Sequence, residues 1–343
     1  MNTLNPLQEA VSQIKSGHTL SSDSIAAAFR VIMSGNASDG LIGAFLGILA
    51  TRVPTGEELH GASGVMKECV ERISLPNPDF LLDTCGTGGA PKTFNVSTAA
   101  GVLSAACGVR VAKHGNRSRT GRGSAEILEQ LGVNIEISIK QQIRCLEEVG
   151  ICFCFAPKHH KAVAHVMPVR TDLGFPTIFN LLGPLTNPCS AGRQLLGVWD
   201  NSFVLSMAES LLASGTCRSA VVHSQDGLDE ISISAPTRIV YVNEGRILDE
   251  TICPEGVGLQ TWDRELVTAS SLPMALEMFK AVLIDGVRGA PREMVLINTA
   301  VSLVLAEAAE NLSEGVEMGG DAIDSGRVAA LLQNWVKISN THT

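Results

Sequence analysis

Four stretches of the chain concentrate the side chains that can do chemistry. The first, Asp83 to Thr98 (DTCGTGGAPKTFNVST), places glycines after an apolar run and hydroxyls before the next one. Backbone N–H groups around Gly86, Thr87, Gly88 and Gly89, with a helix opening near Ser97 and Thr98, suit an anion, and phosphate is the obvious guest. A glycine-rich turn of no chemical consequence is the alternative. The stretch matches neither GxxxxGK[ST] nor GxGxxG, which weakens ATP and NAD readings. The second, Lys113 to Glu126 (KHGNRSRTGRGSAE), sets Lys113, Arg117, Arg119 and Arg122 among glycines and serines ahead of a helix start at Ser124. This is either a solvated basic loop or a second anion cradle, and two cradles imply a doubly phosphorylated ligand. The third, Gln225 to Ser232, presents Asp226, Asp229 and Glu230 in one turn. Such hard oxygen ligands can hold Mg²⁺ against phosphate, although adjacent loop carboxylates are commonly just solvated. The fourth, Phe155 to Arg170, carries His159, His160, His165 and Arg170 without the HExxH spacing of a zinc site. Arg170 can receive a carboxylate bidentately or pair with an interior acid.

The elements needed to position these residues can be read from periodicity and stop signals. Residues 1 to about 72 read as consecutive short helices: one opens at Ser22 or Asp23 and closes at Gly35, one is capped by Ser38, and Thr55 with Glu58 forms a capping box for another. At Ser74 to Pro78 the texture changes, and Phe80 to Leu82 reads as a strand running into the first glycine-rich turn. Strands and helices then alternate: a helix from Ser97 to about Cys107, a strand at Val109 to Ala112, helices from Ser124 and from Ser138 to Gly150, and a buried strand at Ile151 to Phe155. That pattern predicts a mainly parallel sheet with helices on its faces. Residues about 170 to 195, rich in Gly, Pro and Asn, interrupt the alternation as a crossing or hinge. Beyond them come a helix near 201–214, a strand at Ala220 to His223, strands within 231–252, and helices at about 273–280, 292–308 and 321–337.

Composition narrows the function classes. The 343 residues suffice for two lobes around a substantial core. The formal charge of −9 disfavours a general polyanion-binding surface, and aromatics at 4% leave few platforms for stacking bases, so no nucleic-acid partner is expected. The 9 Cys include no CxxC pair, which reads as a reducing cytosol. No apolar stretch approaches a membrane span, and the first residues resemble neither a signal nor a transit peptide; a cytoplasmic protein without a membrane partner is expected.

Taken together, GTGG…TFNVST, KHGNRS…GSAE, FAP…H…VR followed by FNLLGPLTNP, DGLDE and PRE resemble the anthranilate phosphoribosyltransferase family, in order across essentially the whole chain. The resemblance implies an α/β fold class: a small discontinuous all-helical domain (1–72, with a second piece at about 170–195) and a large α/β domain (73–169 and 196–343) with a central, mainly parallel sheet flanked by helices. It implies transfer of the phosphoribosyl group of 5-phosphoribosyl 1-diphosphate (PRPP) to the amine of anthranilate in tryptophan biosynthesis, two Mg²⁺ per subunit, and a homodimer. Carried over by motif, Gly86, Thr87, Gly88, Gly89, Thr93, Asn95, Ser97, Thr98, Lys113 and Ser124 bind PRPP. Gly86, His114, Asn116, His160 and Arg170 face anthranilate, and Ser97, Asp229 and Glu230 hold metal. No residue is nominated as a general base, because an aryl amine needs little deprotonation before it attacks; departure of pyrophosphate is the hard step.

The chain departs from the family pattern in the loops that handle phosphate. Ala90 and Pro91 follow GTGG where the family has Asp, in a loop one residue shorter. The hydroxyl-rich stretch before GSA is here Thr120, Gly121, Arg122 and Gly123, again shortened, and Lys161 and Ser224 replace a Pro and a Gly. Three alternatives follow: a different aromatic acceptor, a nucleoside phosphorylase-like activity, and a nucleic-acid binder using Arg117, Arg119 and Arg122.

Overall fold

The computed structural model describes residues 4–341. Its first helices form where a cap and an apolar stripe coincide. α1 (Pro6–Lys15) opens with a reciprocal Asn5/Gln8 box, and α2 (Ser22–Met33) on the Ser21 hydroxyl, which accepts from the Ser24 N–H. α3 (Asp39–Leu49) follows Ser38, whose side chain makes no capping bond, and α4 (Gly56–Cys69) has the Thr55/Glu58 box expected from the sequence. Glu58 is buried, and Arg52 and the Leu20 N–H (2.8 Å) share its carboxylate, so one acid stitches three chain segments together.

A seven-stranded sheet forms the rest of the frame: β1 (Leu82–Gly86), β2 (Val111–Gly115), β3 (Ile151–Phe155), β4 (Arg193–Gly197), β5 (Arg218–Ser224), β6 (Thr237–Asn243) and β7 (Arg246–Ile252). Their order is β3-β2-β1-β4-β5-β6-β7, with β1 to β5 parallel and β6 antiparallel to both of its neighbours, β5 and β7. Among the buried strands β3 alone is an unbroken apolar run, whereas β1, β2 and β4 carry the buried polar residues Asp83, Lys113 and Gln194. Between strands lie α5 (Val96–Ala106), α6 (Ser124–Gln130), α7 (Ile139–Glu148), α8 (Ala156–His159), α9 (Met167–Leu173), α10 (Ile178–Leu182) and α11 (Val204–Ala213). After β7 come α12 (Leu272–Leu283), α13 (Ala290–Leu305), α14 (Leu312–Asp324) and α15 (Arg327–Ser339).

Two cores flank the sheet. One joins α5, α13 and α15 to it through Val102, Val295 and Trp335. The other runs from Phe29 and Phe45 through Val169 and Phe179 to Met207 and the sheet residues Leu196 and Val221. The short helices after β3 therefore share a core with the N-terminal helices. The chain passes from β1 to β2 on one side, while β4 lies on the other. The carboxyl ends of β1 and β4 thus open a crevice at a topological switch point, where α/β sheets bind ligands.

Two expectations about elements shift. Pro78–Phe80 is a single 3₁₀ turn with Phe80 exposed, and the strand begins at Leu82, because Pro78 cannot donate to a ladder. The helix expected over 321–337 is two, α14 and α15, parted where Gly326 takes a φ of 75°. Among the described residues no helix is long and apolar enough to cross a membrane.

Candidate active site

Gly86 and Gly197 end β1 and β4 side by side. The chain then folds over: the Thr87 N–H donates to the Gly197 carbonyl at 2.9 Å, and the Trp199 N–H donates to Thr87 Oγ1 at 3.2 Å. Gly88 and Gly89 follow with φ of 66° and 100°, values that turn the strand sharply and that L side chains resist. The acidic turn after β5 lies against these glycines. A Cβ on Gly86 would stand 2.8 Å from Asp229 Oδ2, and one on Gly197 would stand 1.6 Å from the Asp229 carbonyl oxygen. Only bare backbone admits Asp229 there.

Thr93 Oγ1 donates to Glu230 Oε2 at 2.8 Å and fixes the second acid. Burial raises the Asp229 carboxyl against the nearby Lys92 ammonium. Glu230 is pushed up to about 8 by burial and then by Asp229, opposed by the Thr93 hydroxyl and Lys92. The crevice thus holds a close acid pair that favours a cation and Lys92, a cation that the sequence reading passed over. Asp226 turns away from the pair and accepts from the Ser232 hydroxyl at 2.8 Å.

Lys113, buried on β2, donates its ammonium to the Thr84 carbonyl and lies 3.5 Å from Ser97 Oγ. Thr84 Oγ1 donates to the Ser97 carbonyl at 2.8 Å, so β1, β2 and the start of α5 meet at one cation. Burial lowers the Lys113 ammonium, whereas the charges of Asp83, Cys85 and Glu230 favour it. Asp83 holds the frame from below: it accepts from the His114 N–H at 3.0 Å and from Asn187 Nδ2 at 2.8 Å. At the head of α5, Asn95 has a φ of 66° and donates Nδ2 to the Arg122 carbonyl at 3.0 Å. Asn95 Oδ1 and Thr98 Oγ1 are buried with no partner among the described residues, so the helix start has polar capacity to spare.

The arginines do not converge as the basic cluster suggested. Arg117 pairs with Glu129 through two 2.6 Å bonds, Arg119 reaches the Gly174 carbonyl at 3.4 Å, and Arg122 donates to the Ala269 carbonyl. The loop also satisfies itself: Gly123 N–H donates to Glu126 at 2.9 Å ahead of Ser124, and the exposed Asn116 accepts from the Arg117 N–H at 2.7 Å. Of the cluster's cations, Lys113 alone is buried beside the glycine loop.

On the other flank His114 Nε2 and His160 Nε2 stand 3.2 Å apart. Burial drives His114 well below the ordinary imidazole range and His160 down to about 4, so both rings are neutral at pH 7. Arg170, on α9, stacks its guanidinium 5.3 Å from the centre of the Phe179 ring and has no carboxylate partner among the described residues. The interior ion pair weighed as its alternative role is thus not made, and a half-buried guanidinium fork remains for an acid.

Sequence reasoning also missed Gly197, Trp199 and Asp83. The first two flank a strand end in plain apolar text, and only the parallel register brings them to the glycine loop. Asp83 carried a signal, a charge at a strand position expected to be buried.

A family model described as "Glycosyl transferase family, a/b domain" matches residues 78–329, and one described as "Glycosyl transferase family, helical bundle domain" matches 8–70. The anthranilate phosphoribosyltransferase of Thioalkalivibrio sulfidiphilus is 41% identical over 97% of this chain and 98% of its own length. The crystal structure of anthranilate phosphoribosyltransferase from Thermus thermophilus superposes with a TM-score of 0.91 at 32% identity, covering 98% of this chain and 100% of that one. The Saccharomyces cerevisiae enzyme, solved in complex with PRPP and Mg, shares the fold with a TM-score of 0.86 at 24% identity over 98% of each chain.

Proposed function

The chain belongs to the anthranilate phosphoribosyltransferase family of glycosyl transferases, and on that premise we propose the following reading of its site. The enzyme transfers the phosphoribosyl group from PRPP to anthranilate, a step of tryptophan biosynthesis. The amine nitrogen bonds to C1 of the ribose, the bond from C1 to the pyrophosphate oxygen breaks, and one amine proton passes to solvent. The observation that carries this reading is the acid pair Asp229/Glu230 set on Gly86 and Gly197, facing the buried Lys113 across a glycine turn.

The residues suit Mg²⁺. Asp229, Glu230 and Ser97 offer only hard oxygen, and the upward shift of both carboxyls marks a pair that a divalent cation would relieve. Bound there, Mg²⁺ would neutralise the charge that gathers on departing pyrophosphate; the family resemblance calls for two ions per subunit. The protein's own part is positioning. The Gly86–Gly89 turn admits the pyrophosphate close to backbone N–H groups, and the Lys113 ammonium supplies fixed positive charge in a dry crevice. Asn95, Thr98 and Ser124 complete the phosphate and ribose contacts.

On the acceptor side, Arg170 takes the anthranilate carboxylate in its fork, and the neutral His114/His160 pair with Asn116 borders the ring. Neutral imidazoles add no positive charge near the ribose carbon, where positive charge develops as pyrophosphate departs. The helical segment 1–72, with the piece at 170–195, closes one side of this cleft and serves as the face of a cytoplasmic homodimer. Light scattering on the purified enzyme tests the dimer.

The test of the reaction is loss of anthranilate fluorescence on mixing enzyme, PRPP and Mg²⁺, with EDTA and Asp229→Ala beside it. Metal-dependent turnover that the variant loses by about a thousandfold or more is the expected result. Mg²⁺-dependent PRPP binding without turnover would keep the donor site and reject anthranilate as acceptor. Neither turnover nor PRPP binding would overturn the reading.

A further inference from the structure

Behind the acceptor flank lies a cluster of side chains that the transfer reaction does not use. Cys152 and Cys154 alternate on β3 and so share one face of the strand, and Cys189 comes up beside them from the segment between α10 and β4. The three sulfurs lie within 4.8 Å of one another, with Cys154 and Cys189 at 3.6 Å, and all three residues are at most 1% exposed. We propose that Cys152, Cys154 and Cys189 form a binding site for one thiophilic d¹⁰ divalent cation, Zn²⁺ being the physiological case.

Spacing supports this. Bonds of about 2.3 Å from one ion to three sulfurs place those sulfurs about 4 Å apart, so the cluster needs only small side-chain adjustments. Donor chemistry sets the class of ion: three soft sulfurs with no carboxylate among them exclude Mg²⁺ and Ca²⁺, which seek oxygen. Charge balance sets the valence. Three thiolates around a monovalent ion would leave two negative charges in a dry interior, whereas a divalent ion leaves one. Coordination displaces the thiol protons to solvent and changes no oxidation state. The thiols are already organised toward one another, with Cys154 Sγ and Cys189 Sγ within hydrogen-bond range.

The surroundings favour a three-sulfur site over a fourth, imidazole ligand. His159 neighbours Cys189, but its Nδ1 meets the Glu71 carbonyl at 2.7 Å and its Nε2 meets the Gln142 side chain at 3.1 Å, so both nitrogens are engaged. Position gives the site a consequence. Cys154 pairs in register with His114, and the 35-residue separation of Cys154 from Cys189 spans His160 and Arg170. An ion held there ties both ends of the segment that presents the acceptor residues to the sheet.

The experiment uses reduced, chelator-treated, full-length enzyme under anaerobic conditions with excess Mg²⁺ present. Cd²⁺ is titrated as a spectroscopic probe of thiolate ligation, and Zn²⁺ affinity is measured against a competing chelator. The expected result is a thiolate-to-Cd²⁺ charge-transfer band that saturates at one ion per chain. Cys189→Ser should lose that band and weaken Zn²⁺ by more than about tenfold, and Cys69→Ser, at an exposed thiol, should retain both. Melting of the unmutated enzyme guards against a folding defect in the variant: Zn²⁺ should raise its Tm without any substitution. A band that survives in Cys189→Ser, or a wild-type enzyme with neither band nor Tm shift, would overturn the site.

Discussion

The two glycine-rich loops beside the crevice resemble each other in sequence and differ in what their groups are bound to. The Gly86–Asn95 loop leaves its polar capacity open: Asn95 Oδ1 and, one turn into α5, Thr98 Oγ1 have no partner among the described residues, and burial raises the acid pair beside the loop. The Asn116–Gly123 loop is closed on itself. Its arginines are taken by Glu129, Gly174 and Ala269, and its last N–H by Glu126. Composition offered the second loop as a further anion cradle beside the first. Partnering widens the gap between them, because a charge already paired has little left to offer a ligand, while a buried group without a partner gains the full value of one.

Matched glycine substitutions sharpen the contrast most. Gly197→Ala puts a methyl group where the Asp229 backbone lies, so the acid pair must move, and a displacement near 1 Å at the reacting end costs orders of magnitude. We expect kcat/KM for PRPP to fall by about a thousandfold, roughly 4 kcal/mol, with far-UV circular dichroism retained. Gly121→Ala, in the other loop, meets nothing within 4 Å and strains only its φ of +68°. It should cost about 1 kcal/mol of stability and less than about threefold in activity. Equal losses in the two variants would dissolve the distinction between the loops.

Next in size is Arg170→Ala. Removing a guanidinium with no protein acid to serve should raise the anthranilate KM by about fiftyfold, roughly 2.3 kcal/mol, and leave the PRPP KM within about twofold. Steady-state kinetics with each substrate varied in turn reads the split. Equal rises in both constants would make Arg170 a structural residue of α9.

These contrasts also mark what the sequence could disclose. The Thr55/Glu58 box, the Ile151–Phe155 strand and the glycine turn were legible because each rests on neighbours in the chain. Asp229 and Glu230 were legible as a pair. What made them a site was not: Gly197, 32 residues away from Asp229 in the chain, matters only because parallel register places it under that carbonyl. Lys92 is a lone cation in a loop until the acids come alongside. The arginine loop misled for the same reason, since Glu129 lies a helix turn beyond the motif and Ala269 far down the chain. Local chemistry sets what a residue can do, and the fold decides which partner reaches it first.

A smaller effect separates the His114/His160 flank from both loops. His160 titrates at about 4 in the folded enzyme against 6.5 as the usual value. The unfolded chain therefore binds the extra proton first as pH falls, and folding stability declines from pH 6.5 toward 4. Between pH 7 and pH 5 this one group accounts for about 2 kcal/mol, and His114 acts in the same direction. His160→Gln keeps a polar group beside His114 and should flatten the wild-type decline in Tm over that range. An unchanged slope would assign the acid sensitivity to other groups.

The smallest expected effect bears hardest on the comparison. Arg117 spends its guanidinium on Glu129 in a pair exposed on both sides, and Arg119 reaches only a carbonyl at 3.4 Å. Exposed pairs of this kind contribute at most about 1 kcal/mol. Arg117→Ala with Arg119→Ala should therefore leave the PRPP KM within about twofold and shift stability by less than about 1 kcal/mol. Titrating salt supplies a second reading: if these arginines met phosphate in the working enzyme, the wild-type PRPP KM would rise more steeply with ionic strength than that of the double variant, because screening acts on exposed charges first. Parallel salt profiles would leave Lys113 and the backbone of the glycine turn as the protein's main positive contribution to the phosphates. Divergent profiles would mean that the arginines leave Glu129 and Gly174 when PRPP arrives, and that the second loop is a phosphate site held shut by its own partners.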